Sequence, residues 1–267
     1  MSKTLIPAQR RAWIQEYLAI HKIVRSIELS DQLATSEATI RRDLEWLESE
    51  GIAERTHGGA IFSQRMLLET QYFHRAQVHA EEKQKIGMAA AALVEDGDII
   101  FVNSGTTTTQ FIRHLPRNTH ITLITNNLSA CLEIGEPGFE ILVPGGEYQP
   151  RSNSVAGRFA IDNLNQVYAS KAFIGVDGLT LAQGCTVPSN AEAEMDRLMI
   201  ERTRGPIIVV TDHSKWGVVS NFEIAKLSQI HKLVTNEGFD PLACAALADI
   251  KIEIIMASKG GVTPPLP

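Results

Sequence analysis

A chain of 267 residues has room for one large domain or two unequal ones, and a content of 44% hydrophobic and 21% charged residues is ordinary for a globular protein. No apolar run reaches the length of a membrane span, and Met1 to Pro7 hold no stretch long enough for a signal peptide, so a cytoplasmic location is expected. The net charge of −6 excludes nucleic-acid binding through bulk positive charge; any such function must rest on where the cations sit.

The first 62 residues do not change this balance, with eight Lys and Arg against nine Asp and Glu. Cys131, Cys185 and Cys244 are too scattered for a metal set or a disulfide framework and are expected as reduced thiols. No metal and no cofactor is expected.

Pro7 suits a first helical turn, because its missing N–H would be unpaired there anyway. The spacing of Ile14, Tyr17 and Leu18 predicts a helix over Ala8 to His21, with Trp13 at the border of its apolar face. A second helix fits Ile27 to Ala34, with Ser26 as N-cap and Leu29 and Leu33 one turn apart. Ser36 caps a third, Glu37 to Ser49, in which Ile40, Leu44 and Leu47 face inward and Glu37, Ala38, Arg41, Arg42 and Glu45 turn outward. Gly51 is placed to end it.

Two helices joined by the turn Ala34-Thr35-Ser36, the second with outward arginines in its first turns, have the geometry of a major-groove reader. The helix-turn-helix spans about Val24 to Asp43. After it, Ile52 to Thr56 and Ala60 to Phe62 read as the strands of a hairpin wing around His57-Gly58-Gly59, with Arg55 and His57 toward a duplex backbone and the glycines allowing a tight turn close to a phosphate. The residues alone also admit a small protein-interaction module with solvated arginines.

The run Ser36-Glu37-Ala38-Thr39-Ile40-Arg41-Arg42-Asp43-Leu44, followed by Gly51-Ile52-Ala53-Glu54-Arg55-Thr56-His57-Gly58-Gly59-Ala60, resembles the DeoR family of bacterial transcription regulators. One departure is Thr35, where that family usually has a small apolar residue. The resemblance implies operator DNA as a partner, contacted by Ser36, Glu37, Ala38, Thr39, Arg41, Arg42, Arg55, His57, Gly58 and Gly59.

Residues 63–80 lack a clear period and read as a linker, with His74 and His79 lacking a partner set at metal spacing. Helical patterning resumes at Glu81, with Ile86, Ala89, Ala90 and Leu93 on one side. Beyond it, strands are expected at Ile99–Val102, Ile121–Thr125, Glu140–Val143, Ala172–Val176, Ile207–Thr211, Lys232–Thr235 and Ile252–Ile255. Helices are expected at Thr107–His114, Leu128–Ile134, Glu192–Arg202 and Pro241–Ala248. Such alternation predicts a mostly parallel sheet covered on both faces, with ligands beyond the carboxyl ends of its strands. The domains are therefore a DNA-binding head at 7–62, a linker at 63–80, an α/β domain at 81–256 and a disordered Gly/Pro-rich tail at 257–267.

The first strand end, Asn103-Ser104-Gly105-Thr106-Thr107, leads into a helix and suits a phosphate, although a plain N-cap loop has the same composition. It is neither a dinucleotide fingerprint nor a P-loop. Lys215 is suited to neutralise a phosphate, and Asn126, Asp177 and Glu192 to bond sugar hydroxyls. Asp212-His213-Ser214 is not a triad, because adjacent residues point different ways. Arg151 and Arg158 lie in a stretch that no pattern places.

The family resemblance extends to about residue 256 through Ser104-Gly105-Thr106-Thr107, Thr125-Asn126, Gly145-Gly146, Phe173-Ile174-Gly175, Asp177-Gly178 and Asp212-His213-Ser214-Lys215. It implies a fold similar to ribose-5-phosphate isomerase and a phosphorylated sugar as effector, held by Ser104, Gly105, Thr106, Thr107, Asn126, Gly146, Asp177, Glu192 and Lys215. Leu179 follows Gly178 where the isomerases carry a second acid, which favours binding over catalysis. The expectation is a non-enzymatic, homo-oligomeric repressor of a carbohydrate operon. The alternative is a sugar-phosphate isomerase or deaminase with a DNA-binding appendage.

Overall fold

The structure, a computed structural model, describes residues 6–50, 52–62, 72, 74–117, 120–258 and 261–263. The chain divides into two compact units, residues 1–73 and 74–267.

In the first unit, helix α1 (Pro7–His21) opens on its proline and packs Ile14 and Leu18 into a small core. Strand β1 (Ile23–Arg25) follows, then α2 (Ser26–Gln32) and α3 (Glu37–Ser49). Ile40, Leu44 and Leu47 of α3 are fully buried, as their i, i+4, i+7 spacing requires. Strands β2 (Ala53–Thr56) and β3 (Gly59–Phe62) complete the wing, in which β3 lies between β1 and β2 in an antiparallel sheet.

Three details differ from the sequence reading. The wing has a third strand, β1. The second helix starts at Ser26 itself, whose N–H donates to the Gly58 carbonyl at 2.8 Å, with Arg25 as N-cap. It ends at Gln32, because Ala34 takes a left-handed conformation in the turn (φ 47°). Gly51, expected to end α3, lies outside the described residues.

The second unit is a layered α/β domain. Its helices are α4 (Ala80–Ala91), α5 (Thr106–Arg113), α6 (Leu128–Glu133), α7 (Arg158–Leu164), α8 (Asn190–Glu201) and α9 (Pro241–Asp249). The strands in chain order are β4 (Ile99–Val102), β5 (Thr122–Thr125), β6 (Glu140–Leu142), β7 (Glu147–Gln149), β8 (Ser154–Ala156), β9 (Lys171–Gly175), β10 (Gly178–Thr180), β11 (Gly184–Val187), β12 (Ile207–Val210), β13 (Phe222–Ala225), β14 (Lys232–Asn236), β15 (Glu253–Ser258) and β16 (Gly261–Thr263).

The main sheet has the order β16-β15-β14-β12-β9-β4-β5-β6, parallel throughout except for β16. Alternate residues feed two cores on opposite faces. Ile100, Val102 and Phe173 pack with α4 and α5, while Phe101, Ala172 and Ile174 pack with α7, α8 and α9.

From β4 the chain builds outward through β5 and β6, then returns to β4's other side with β9 and continues to β15. The order therefore reverses between β4 and β9, and a crevice opens beyond the carboxyl ends of strands at such a reversal.

The seven parallel strands lie where the sequence placed them, within a residue or two, except that β15 runs on to Ser258. The hairpin β7–β8, the small sheet β10-β11-β13 and helix α7 were not expected. Two further expectations are corrected. Residues 74–77 of the presumed linker are helical and belong to the second unit. The presumed disordered tail contributes the end of β15 and the antiparallel strand β16, paired as Ala257 with Val262. Residues 63–71, 259–260 and 264–267 of those two segments lie outside the described residues.

Candidate functional site

In the first unit, the outward face of α3 presents Ala38, Arg41, Arg42 and Glu45, all exposed. The Ser36 hydroxyl accepts the Thr39 N–H at 3.2 Å and lies 2.8 Å from the Thr39 hydroxyl, so both polar side chains are occupied in fixing the start of the helix. Arg41 donates to Glu37 one turn away at 3.1 Å; an exposed pair of this kind is worth little and yields readily to a phosphate or base edge. Arg55 on the wing donates to Glu45 at 2.8 Å, and its N–H to Glu48 at 3.1 Å, so it ties the wing to α3.

His57 and Gly58 are exposed at the wing tip, and Gly58 needs its left-handed conformation (φ 99°). Gly59 is corrected from the sequence expectation of a phosphate-facing residue. It is buried, and a Cβ there would lie 2.0 Å from the Val24 carbonyl, so it serves the close approach of β1 to β3. Sequence reading missed Asp43, which is 1% exposed and accepts from both Arg10 and Arg11 of α1. Two of the head's arginines are thus spent on holding α1 to α3, while Arg41 and Arg42 stay on the exposed face of α3.

In the second unit, a cavity of about 270 Å³ lies beyond the ends of β4, β9 and β12, at the reversal of strand order. That is just below the roughly 300–1,000 Å³ typical of ligand sites. Ser104, Gly105, Thr106, Thr107, Asp177, Glu192 and Lys215 line it, as the sequence suggested.

No side chain among the described residues caps α5, which begins at Thr106. Instead the Thr108 and Thr109 hydroxyls donate back to the Gly105 carbonyl, at 3.0 and 2.8 Å, and Asn127 braces the same carbonyl. The loop is therefore held in shape while the first N–H groups of the helix remain open to an anion. Asn103 bridges the ends of β4 and β9, donating to the Gly175 carbonyl and accepting its N–H.

The charges are divided between cations and acids. Lys215 lies 4.0 Å from Asp177, and Arg75 3.8 Å from the same carboxylate. Burial pushes the Lys83 ammonium below its ordinary value, against the raising field of Asp212. Among the acids, burial raises the Glu192 carboxyl, assisted by Asp177. Burial raises Asp196 well above the usual range, opposed by a hydrogen bond with Asn103. A protonated carboxyl donates as well as accepts, which suits it to hydroxyl groups.

Two expected ligand residues are corrected. Asn126 and Gly146 do not line the cavity. Asn126 is buried and donates to the Val155 carbonyl at 3.1 Å, while its Oδ1 has no partner among the described residues. Gly146 takes φ 118°, and a Cβ there would meet the Ala156 carbonyl at 2.4 Å.

Sequence reading missed Arg75 and His79, which lie in a stretch without helical period, Lys83, which sits on the helix expected from Glu81, and Asp196, on the buried face of α8. Arg151 and Arg158, left unplaced by sequence, do not line the cavity. The Arg151 carbonyl accepts from Arg75, and Arg158 opens α7 in an exposed pair with Asp162.

Each of the two units is matched by a family model. Residues 10–66 match the family described as the DeoR-like helix-turn-helix domain, and residues 78–237 the DeoR C terminal sensor domain. An uncharacterised HTH-type transcriptional regulator of Bacillus subtilis, YulB, is 33% identical over 260 residues, covering 96% of this chain and 100% of that one. The HTH-type transcriptional repressor GlcR of the same organism is 30% identical over 252 residues, covering 94% and 96%. Among solved structures, ribose 5-phosphate isomerase A from Neisseria gonorrhoeae aligns with 52% of this chain and 54% of its own, at 15% identity and a TM-score of 0.37. That likeness is too slight to carry any residue across.

Proposed function

This chain belongs to the DeoR family of helix-turn-helix transcriptional regulators, and on that premise we propose that it is a repressor of a carbohydrate catabolic operon, released or engaged by a phosphorylated sugar. The head, residues 7–62, reads operator DNA with the outward face of α3, while His57 and Gly58 of the wing approach the backbone. Arg55 acts indirectly, by fixing the wing to α3. A head of near-neutral charge holds DNA weakly by itself, so the protein works in the cytoplasm as a homo-oligomer that pairs several heads on repeated half-sites.

The observation that carries the effector reading is the uncapped start of α5, open to a cavity that also holds Lys215. A phosphate fits there on N–H groups and a point charge. The sugar hydroxyls then face Asp177, Glu192 and Asp196, of which the last two are biased toward the protonated form.

The test is a panel of sugar phosphates assayed for thermal shift and for turnover. One or a few should raise Tm, because a ligand of the folded state stabilises it. Lys215→Ala should reduce that shift at least tenfold in ligand concentration while leaving DNA binding unchanged. Turnover at ordinary enzyme rates, about 1–1,000 per second, would overturn the proposal in favour of an enzyme with a DNA-binding appendage.

A further inference from the structure

The cavity wall includes a segment with no place in the site as read from the strand ends. Residues 74–77 form a helical turn at the start of the second unit, and α4 begins at Ala80. Between them His79 adopts a left-handed conformation (φ 54°, ψ 40°), rare for a residue with a Cβ. Two contacts hold this break. The Lys83 ammonium, 5% exposed, donates to the carbonyls of Arg75 and Val78 at 2.5 and 2.6 Å. The His79 ring lies edge-on to His213, with centroids 4.8 Å apart.

The turn carries Arg75 to the cavity. Its guanidinium donates to the Arg151 carbonyl at 2.8 Å and stands 3.8 Å from Asp177. Lys215 approaches the same Asp177 oxygen from 4.0 Å. Two cations thus gather around one carboxylate, and neither is close enough for a good hydrogen bond. A planar guanidinium is suited to grip a phosphate with two parallel N–H donors.

We propose that Arg75 is a direct ligand of the effector's phosphate, that Asp177 is the internal anion that yields its two cations to this phosphate and is left to the sugar hydroxyls, and that Lys83 is the positioning residue holding the Arg75 turn over the cavity. This rests on the effector reading above. Its consequence is regulatory: residues 74–83 directly follow the stretch that joins the head in sequence, so an anion in the cavity fastens the end of that connection.

The experiment is hydrogen–deuterium exchange on the full chain with inorganic phosphate as probe, against chloride at matched ionic strength. Phosphate should slow exchange at residues 74–83 as well as at 104–109. Arg75→Ala should weaken phosphate binding about tenfold or more and, at saturating phosphate, abolish the slowing at 74–83 while keeping it at 104–109. Arg75→Lys should restore part of the affinity, and Arg158→Ala should behave as the unaltered protein.

If Arg75→Ala binds phosphate normally, or phosphate slows 104–109 without 74–83 in the unaltered protein, the role of Arg75 is overturned and the cavity reading stands. If phosphate slows neither region, both fall.

Discussion

Arg41 and Asp196 show how differently a single charge works in the two units. Arg41 is exposed on α3 and, among the described residues, is engaged in an i,i+4 pair with Glu37. If it reads a base, Arg41→Ala should weaken operator binding by about 1–3 kcal/mol and relax specificity at one position. An equal loss on operator and random duplexes, measured by fluorescence anisotropy, would assign it to phosphate instead.

Asp196 is buried at the cavity, and burial holds its carboxyl well above the ordinary range. A folded value raised above the unfolded value of about 3.9 favours the fold while the group is protonated. That stability is present below about pH 4 and is lost as pH rises through the window up to the raised value. Asp196→Asn cannot ionise, so its stability should decline less than that of the unaltered protein between pH 4 and 7. Identical pH profiles in urea unfolding would contradict the account.

Elements whose signal is local were legible in the sequence. Helix α3 announces itself through the Ser36 cap and the inward Ile40, Leu44 and Leu47, and the parallel strands through unbroken apolar runs such as Ile207–Val210. The elements that escaped depend on distant partners. Strand β1 is three residues long and is a strand only because β3 lies beside it. Gly178–Thr180 and Gly184–Val187 form their sheet with residues 222–225.

The cavity was half legible for the same reason. The strand-end loop could be read, but the turn carrying Arg75 has no period. Asn126 and Gly146 had suitable chemistry at strand ends, yet the fold uses one to tie β5 to β8 and the other for a close backbone approach. Asp43 belongs here too, since it joins α1 to α3. Asp43→Ala should destabilise the first unit at the lower end of the roughly 3–5 kcal/mol seen when one partner of a buried pair is removed, because Arg11 remains partly exposed. Unchanged urea unfolding of that unit would contradict it.

At the scale of the whole molecule, a −6 chain with a near-neutral head has no bulk positive charge with which to hold DNA, so recognition rests on local chemistry. On the function proposed above, affinity comes from several heads on spaced half-sites, and control from a ligand that binds two states of the assembly unequally. The most direct measurement is anisotropy of the purified full chain on its own upstream DNA and on random duplex at physiological salt, with and without the sugar phosphate that raises its Tm. The account predicts at least a 10³-fold preference for the upstream DNA, and a change of at least fivefold in that affinity on adding the effector. Equal affinity for the two duplexes, or an operator affinity that a bound sugar phosphate leaves unchanged, would contradict it.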